Sequence, residues 1–80
     1  MRQLYLPMLI ESQEFRAVLN LQPYNQPVVA VEGTSAQDTV RQAASQIDRG
    51  KKSGLVLTVS RVEQLVLVNG EEIYRTVAMN

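Results

Sequence analysis

The chain predicts an α+β fold in which an antiparallel sheet of five to six strands carries one helix on one face. Three observations lead there. Apolar and polar residues alternate with a period of two over most of the length, as they do in half-buried strands. Only "TSAQDTVRQAASQIDRG" (34–50) has helical spacing with stop and start signals at its ends. Asn69-Gly70 lies between two apolar runs, the favoured pair for a type I′ hairpin turn because both central positions need φ > 0. The expected order is β-β-β-α-β-β-β in a single domain over residues 1–80, a length with no room for a second core.

Taken in order, Leu4, Leu6, Met8 and Ile10 alternate with Gln3, Tyr5, Pro7 and Leu9 and read as a first strand. Pro7 cannot donate to a ladder, which places that strand at an edge or a bulge. "ESQE" (11–14) is polar and turn-like. "EFRAVLNL" then sets Phe15, Ala17, Leu19 and Leu21 against Arg16, Val18 and Asn20, completing a first hairpin. "QPYNQP" (22–27) is a turn with two prolines. "VVAVE" (28–32) is a short β-branched strand, ended by Gly33.

In the helix, Thr34 with Gln37 fits a capping box, and Ser35 with Asp38 is a one-residue alternative. Asp38 suits the first turn and Arg49 the last. Ala36, Val40, Ala43 and Ile47 form the buried stripe with Ala44 beside it. Gln37, Arg41, Gln42, Ser45 and Asp48 are expected to be wet, and Gly50 to be the stop. After the connection "KKSG" (51–54), "LVLTVS" (55–60) is a strand. "RVEQLVLVNGEEIYRTVA" is a hairpin whose turn pairs Val68 with Glu71, Val66 with Ile73 and Leu65 with Tyr74.

That last hairpin poses a problem. Leu65, Val66, Leu67 and Val68 are apolar in succession, yet successive strand residues point to opposite faces. A helix of about 15 residues spans roughly 22 Å and covers part of one face only. The second face has three possible covers: curling of the sheet on itself, a second copy of the chain, or a different protein.

Composition narrows the functional classes. The apolar content of 45% and charged content of 20% are those of a folded protein, so disorder over most of the chain is not expected. Formal net charge is zero, from eight basic and eight acidic side chains, which favours neither a polyanion nor an anionic membrane. Without cysteine or histidine there is no disulfide, thiol nucleophile, His-centred triad or conventional zinc site. A small domain without disulfides is expected to be intracellular. The N-terminal "MRQLYLPMLIE" lacks the cleavage pattern of a signal peptide, and no stretch approaches the ~18–20 apolar residues of a span. A soluble, cytoplasmic protein without a cofactor is expected.

The chemistry candidates read as ordinary surface. Glu71–Glu72 flank a hairpin turn, and Glu11 with Glu14 lie in the expected first turn; both pairs suit solvated charge better than acid–base work. Lys51-Lys52 with Arg49 lack the glycine-rich cradle of a phosphate loop. Nucleic acid is disfavoured: Arg61 and Arg75 could neighbour one another on the last strands, but paired aromatics in recognisable runs are missing. Protein binding remains, through the exposed strand face and the loop tips. Tyr24, Arg61, Glu71, Glu72, Tyr74 and Arg75 are the candidate interface residues. Tyr24 is either a loop-tip anchor, since tyrosine brings large area at small entropic cost, or folded back on the core.

In order and size, a strand hairpin followed by "VVAVEGTSAQDTVRQAASQI" and "SGLVLTVSRVEQLVLVNGEEIYR" resembles several small phage-encoded anti-CRISPR proteins. The resemblance implies an inhibitor that binds a host nucleoprotein partner, a CRISPR surveillance complex, in the host cytoplasm. It carries no motif and assigns no residue a role. "VEGTSAQDTVRQAASQI" is also similar to the start of the helix in HicB-like antitoxins, although "YNQPVVA" stands where their "PDLPGC" approach would be. That second resemblance implies a homodimeric module binding another protein.

Overall fold

The computed structural model describes residues 8–79, so the expectations for residues 3–7, Pro7 among them, lie outside it. Its elements are β1 (Leu9–Gln22), β2 (Gln26–Gly33), α1 (Ala36–Lys52), β3 (Val56–Val68) and β4 (Glu71–Met79). The four strands form one antiparallel sheet in the order β2-β1-β3-β4. The α+β class holds, with four strands among the described residues where the sequence predicts five to six over the whole chain.

The difference arises at two places where polar residues continue a strand instead of interrupting it. "ESQE" contains neither Gly nor Pro, and it continues β1 instead of reversing the chain. There the pairing of β1 with β3 passes from Glu11↔Val66 to Phe15↔Gln64, so two extra residues bulge out of β1. The ladder bonds lost at the bulge are replaced by side chains. Ser12 Oγ donates to the Leu65 carbonyl at 2.6 Å and accepts from the Glu14 N–H at 3.1 Å, while Gln64 Nε2 donates to the Ser12 carbonyl at 2.9 Å. Likewise the expected 55–60 and 61–68 segments merge into the single strand β3, which starts at Val56, with Ser60 as the extra residue between Val59 and Arg61.

The last hairpin forms as expected. Asn69 and Gly70 have φ of 51° and 84°, and the register pairs Val68 with Glu71, Val66 with Ile73 and Leu65 with Tyr74. At the other end of the sheet, the turn after β1 contains a cis Gln22–Pro23 bond and Asn25 at φ 52°. Asn25 Oδ1 accepts from both Asn20 Nδ2 and Gln22 Nε2, at 3.0 and 3.1 Å.

Of the two caps offered by the sequence, α1 uses Ser35, whose Oγ accepts from the Asp38 N–H at 3.0 Å. Asp38 Oδ2 in turn accepts from the Thr34 N–H at 3.0 Å. The buried stripe is rotated from the expected one: Thr39, Ala43 and Gly50 are buried, with Ala36 and Ile47 packed against the core, while Val40 and Ala44 are exposed. Thr39 can take a buried position because its Oγ1 donates to the Ser35 carbonyl at 2.7 Å. Gly50 is not the stop. The helix continues through Lys51 and Lys52, and a Cβ at Gly50 would lie 2.9 Å from Leu57 Cδ1, so this glycine lets the last turn approach β3.

The core consists of Ala17, Leu19, Ala43 and Val62, with Phe15, Val31, Leu57 and Val59 around it. β1 has 14 residues and extends about 46 Å; α1 has 17 residues and extends about 25 Å. The helix therefore covers roughly half of the sheet's length. β2 also ends early, at Gly33 opposite Phe15. Beyond that point β1, β3 and β4 continue as a three-strand overhang reaching to the Asn69-Gly70 turn. No described helix is long and apolar enough to cross a membrane.

Candidate protein-binding surface

Strand alternation sorts the side chains into two faces. Phe15, Ala17 and Leu19 face the helix, so Arg16, Val18 and Asn20 occupy the open face. Paired residues share a face, which adds Glu32 and Ala30 from β2, Arg61 and Glu63 from β3, and Thr76 and Met79 from β4.

At the middle of the open face Glu63 is held by two arginines. Arg16 Nε donates to its Oε1 at 2.8 Å, and Arg61 Nε lies 3.2 Å from its Oε2. The guanidinium of Arg16 also lies over the ring of Tyr74, 3.5 Å from its centroid, a cation–π arrangement. Between Arg16 on its own strand and Arg61 across the ladder, Val18 is buried on a face that no helix covers. The aliphatic stems of long charged side chains can shelter such a residue while their heads stay wet. The centre of the second face thus draws its cover from within the sheet, by a means separate from curling or a partner.

Toward the Asn69-Gly70 end the cover is uneven, with Val66 fully buried and its neighbours in the strand half-buried. On the overhang, Met8, Leu9, Ile10 and Ile73 are between 45% and 64% exposed. Ile10 pairs with Leu67 on the open face, and Leu9 pairs with Val68 on the helix side. The "LVLV" run is therefore apolar toward both sides of a part of the sheet that the helix does not reach.

The six expected interface residues do not form one site. Tyr24 is 75% exposed at the proline turn and is not folded onto the core. Glu71 and Glu72 flank the hairpin turn at the opposite end of the sheet. Arg61 and Tyr74 do come together on the open face. Arg75 does not join them: it pairs with Gln64 on the helix side, where its guanidinium bonds Glu11 and, at 3.0 Å, Gln64 Oε1. Arg16 and Glu63 belong to the open-face cluster and were missed. The signal for them was present, since Arg61 and Glu63 are two apart in a strand and must share a face.

Burial pushes the Glu63 carboxyl up, but the hydrogen bonds from Arg16 and Arg61 outweigh it and hold the group below the usual Glu value. The Arg41 side chain, then the Thr34 N–H, lower Asp38 similarly. A carboxyl with a depressed folded value stabilises the fold above its unfolded pKa, and that contribution is lost as pH falls through the folded value. The melting temperature should therefore fall on acidification from about pH 5 toward pH 2, around and below the unfolded carboxylate range. Glu63→Gln should flatten part of that slope and Asp38→Asn another part. A circular-dichroism melt series decides it; an unchanged slope in Glu63→Gln would show that the two arginines do not favour the ionised carboxylate.

A comparison with known protein families, characterised proteins and solved structures finds no match. The geometry of this sheet is what a functional reading can rest on.

Proposed function

We propose that the chain is a non-catalytic protein-binding domain that acts through its open sheet face and the adjoining overhang. The observation that supports this reading is the exposed apolar end of the overhang, beyond the reach of the helix, with Ile10 on the open face and Leu9 and Ile73 on the reverse face. Exposed apolar side chains gathered at one end of a sheet mark an interaction site, whereas singly scattered ones do not. The Arg16–Tyr74 stack beside it supplies the residue types that dominate binding energy at interfaces. Catalysis is disfavoured by the chain's lack of histidine and cysteine.

The test is capture of binding partners from host lysate by the tagged protein and by Ile10→Lys and Tyr74→Ala variants. Both variants should lose the partner; Ile10→Lys should change stability by about 0.5 kcal/mol or less, as expected of an exposed position, and Tyr74→Ala, which also removes the Arg16 stack, by about 1–2 kcal/mol, leaving the domain folded. Variants that unfold, or that bind as well as the parent, would count against this surface.

In the form the anti-CRISPR resemblance gives it, the partner is a CRISPR surveillance complex and the protein an inhibitor in the host cytoplasm. That form predicts co-purification with such a complex at fixed stoichiometry. Failure to bind any such complex removes the inhibitor and leaves the binding domain.

A further inference from the structure

We propose that Asn69 is a site of spontaneous covalent modification, at which the folded chain loses ammonia to give aspartate and isoaspartate, and that the isoaspartate form opens the β3–β4 hairpin.

The chemistry is a ring closure within the turn. The Gly70 backbone nitrogen loses its proton and attacks Cγ of Asn69. A C–N bond forms, the Cγ–Nδ2 bond breaks, and Nδ2 takes up a proton and leaves as ammonia. Water then opens the resulting succinimide at one of its two carbonyls. Opening at Cγ gives aspartate; opening at the backbone carbonyl leaves the chain running through Cγ, which is isoaspartate. Asparagine and water become acid and ammonia, with no change of oxidation state. The nucleophile and the carbonyl it attacks belong to adjoining residues, so no bimolecular encounter is required.

The structure favours this step at Asn69. Asn69 and Gly70 are exposed at the tip of the hairpin, and a Cβ at Gly70 would meet nothing within 4 Å. Neither a side chain nor packing therefore obstructs the rotation that brings the Gly70 nitrogen to Cγ, and glycine itself moves freely between backbone conformations. Asn69 Oδ1 accepts from the Met8 N–H at 3.0 Å. That donor is aimed at the oxygen on which negative charge develops during the attack. The other asparagines of the described strands and turns differ on each count. Asn20 is buried, is followed by Leu21, and donates from Nδ2 to Asn25 Oδ1 at 3.0 Å. Asn25 is followed by Gln26, and its Oδ1 is held by two side-chain donors.

The products differ in what they do to the fold. Asn69 ties the turn to the start of β1 by two bonds, since its N–H also donates to the Met8 carbonyl at 2.9 Å. Its φ of 51°, with 84° at Gly70, closes the two-residue turn between Val68 and Glu71. Aspartate suits the same turn, because Asp-Gly is also a favoured pair there. Isoaspartate does not. It adds a backbone atom to a turn whose length sets the register, and it places a free carboxylate beside Glu71 and Glu72. The hairpin tip then parts from Met8, and the loosening spreads toward Ile73 as local unfolding from an exposed end.

The test is to age the folded full chain at neutral and mildly alkaline pH, map its peptides by mass spectrometry, and locate isoaspartate by enzymatic methyl-ester labelling. Ammonia loss should occur at Asn69 before Asn20 or Asn25, and faster at the higher pH because the Gly70 nitrogen must lose its proton. The isoaspartate fraction should lose hydrogen-exchange protection over residues 66–73, while Asn69→Asp, which has no amide to lose at that position, keeps it over the same period. Conversion of Asn69 only in urea-unfolded chain overturns the proposal, as does earlier conversion at Asn20 or Asn25. Isoaspartate at residue 69 with full protection of the hairpin overturns the opening of the turn.

Discussion

Gly33→Ala should be among the most destabilising single-methyl additions to this protein. A Cβ at residue 33 would lie 2.3 Å from Thr39 Oγ1, 2.7 Å from Thr39 N and 2.8 Å from Thr39 Cα. Two of these three atoms belong to the backbone of the first helical turn, so no rotamer change relieves them. Forcing atoms into a packed site costs typically about 1–3 kcal/mol, and backbone obstruction places this site at the upper end. At about 4–8 °C per kcal/mol for a domain of this size, a loss near 3 kcal/mol lowers the melting temperature by roughly 12–24 °C. Thr39→Ala in the same background removes the hydroxyl and its methyl but leaves the backbone N and Cα in place, and should recover little. Full recovery would mean that the helix start can shift, and that Gly33 is not what fixes its distance from the sheet.

The second large effect is expected at Leu19. It is fully buried, lies on β1 between β2 and β3, and belongs to the cluster with Ala17, Ala43 and Val62 under the helix. Truncation of such a residue to alanine costs about 2–5 kcal/mol. The whole domain is stabilised by roughly 4–12 kcal/mol if it follows the usual per-residue range, so Leu19→Ala should leave it close to unfolding at room temperature. Ile10→Ala is the matched control. It removes an apolar side chain from the same strand, but from the overhang, where Ile10 is half exposed, and it should cost about 0.5 kcal/mol or less. Urea denaturation of the two variants measures both. Equal losses would show that the overhang contributes to the core as much as the helix-covered region does.

The contrast between Leu19 and Ile10 also explains why the domain is an unequal structure. Stability is concentrated where Phe15–Leu21, Leu57–Val62 and α1 meet. The part of the sheet from Leu9 to Glu14, with Gln64–Val68 and the start of β4, extends past the helix. Its bulge is tied by Ser12 and Gln64, and Gln64 in turn is held by Arg75. Those bonds fix the overhang's course; Val66 is fully buried there, while Leu9, Ile10 and Ile73 stay about half exposed.

Much of this was legible in the sequence because it depends on neighbours in the chain. The Asn69-Gly70 turn needs two residues that tolerate φ > 0, and a two-residue turn leaves one register, so the pairing of Leu65 with Tyr74 followed directly. The helix was legible from its period and caps, and the choice of Ser35 over Thr34 lay within the alternatives. The one-helix α+β class followed from the same local signals.

What only the tertiary structure decided depends on residues far apart. "ESQE" is as polar as a turn, but whether it reverses the chain or bulges is settled by Leu65 and Gln64, more than 50 residues away, which supply its missing hydrogen bonds. Val40 was the more apolar choice for the buried stripe, yet the sheet receives Thr39, because the close approach at Gly33 sets the rotation of the helix and Ser35 satisfies the hydroxyl. The Arg16–Glu63–Arg61 cluster joins β1 to β3 across an intervening strand and helix, and no local pattern brings Arg16 to Tyr74. Local sequence sets backbone preference through sterics and hydrogen bonds between near neighbours. Register between distant strands, helix rotation and the cover of the second face follow from packing among residues that only the folded chain brings together.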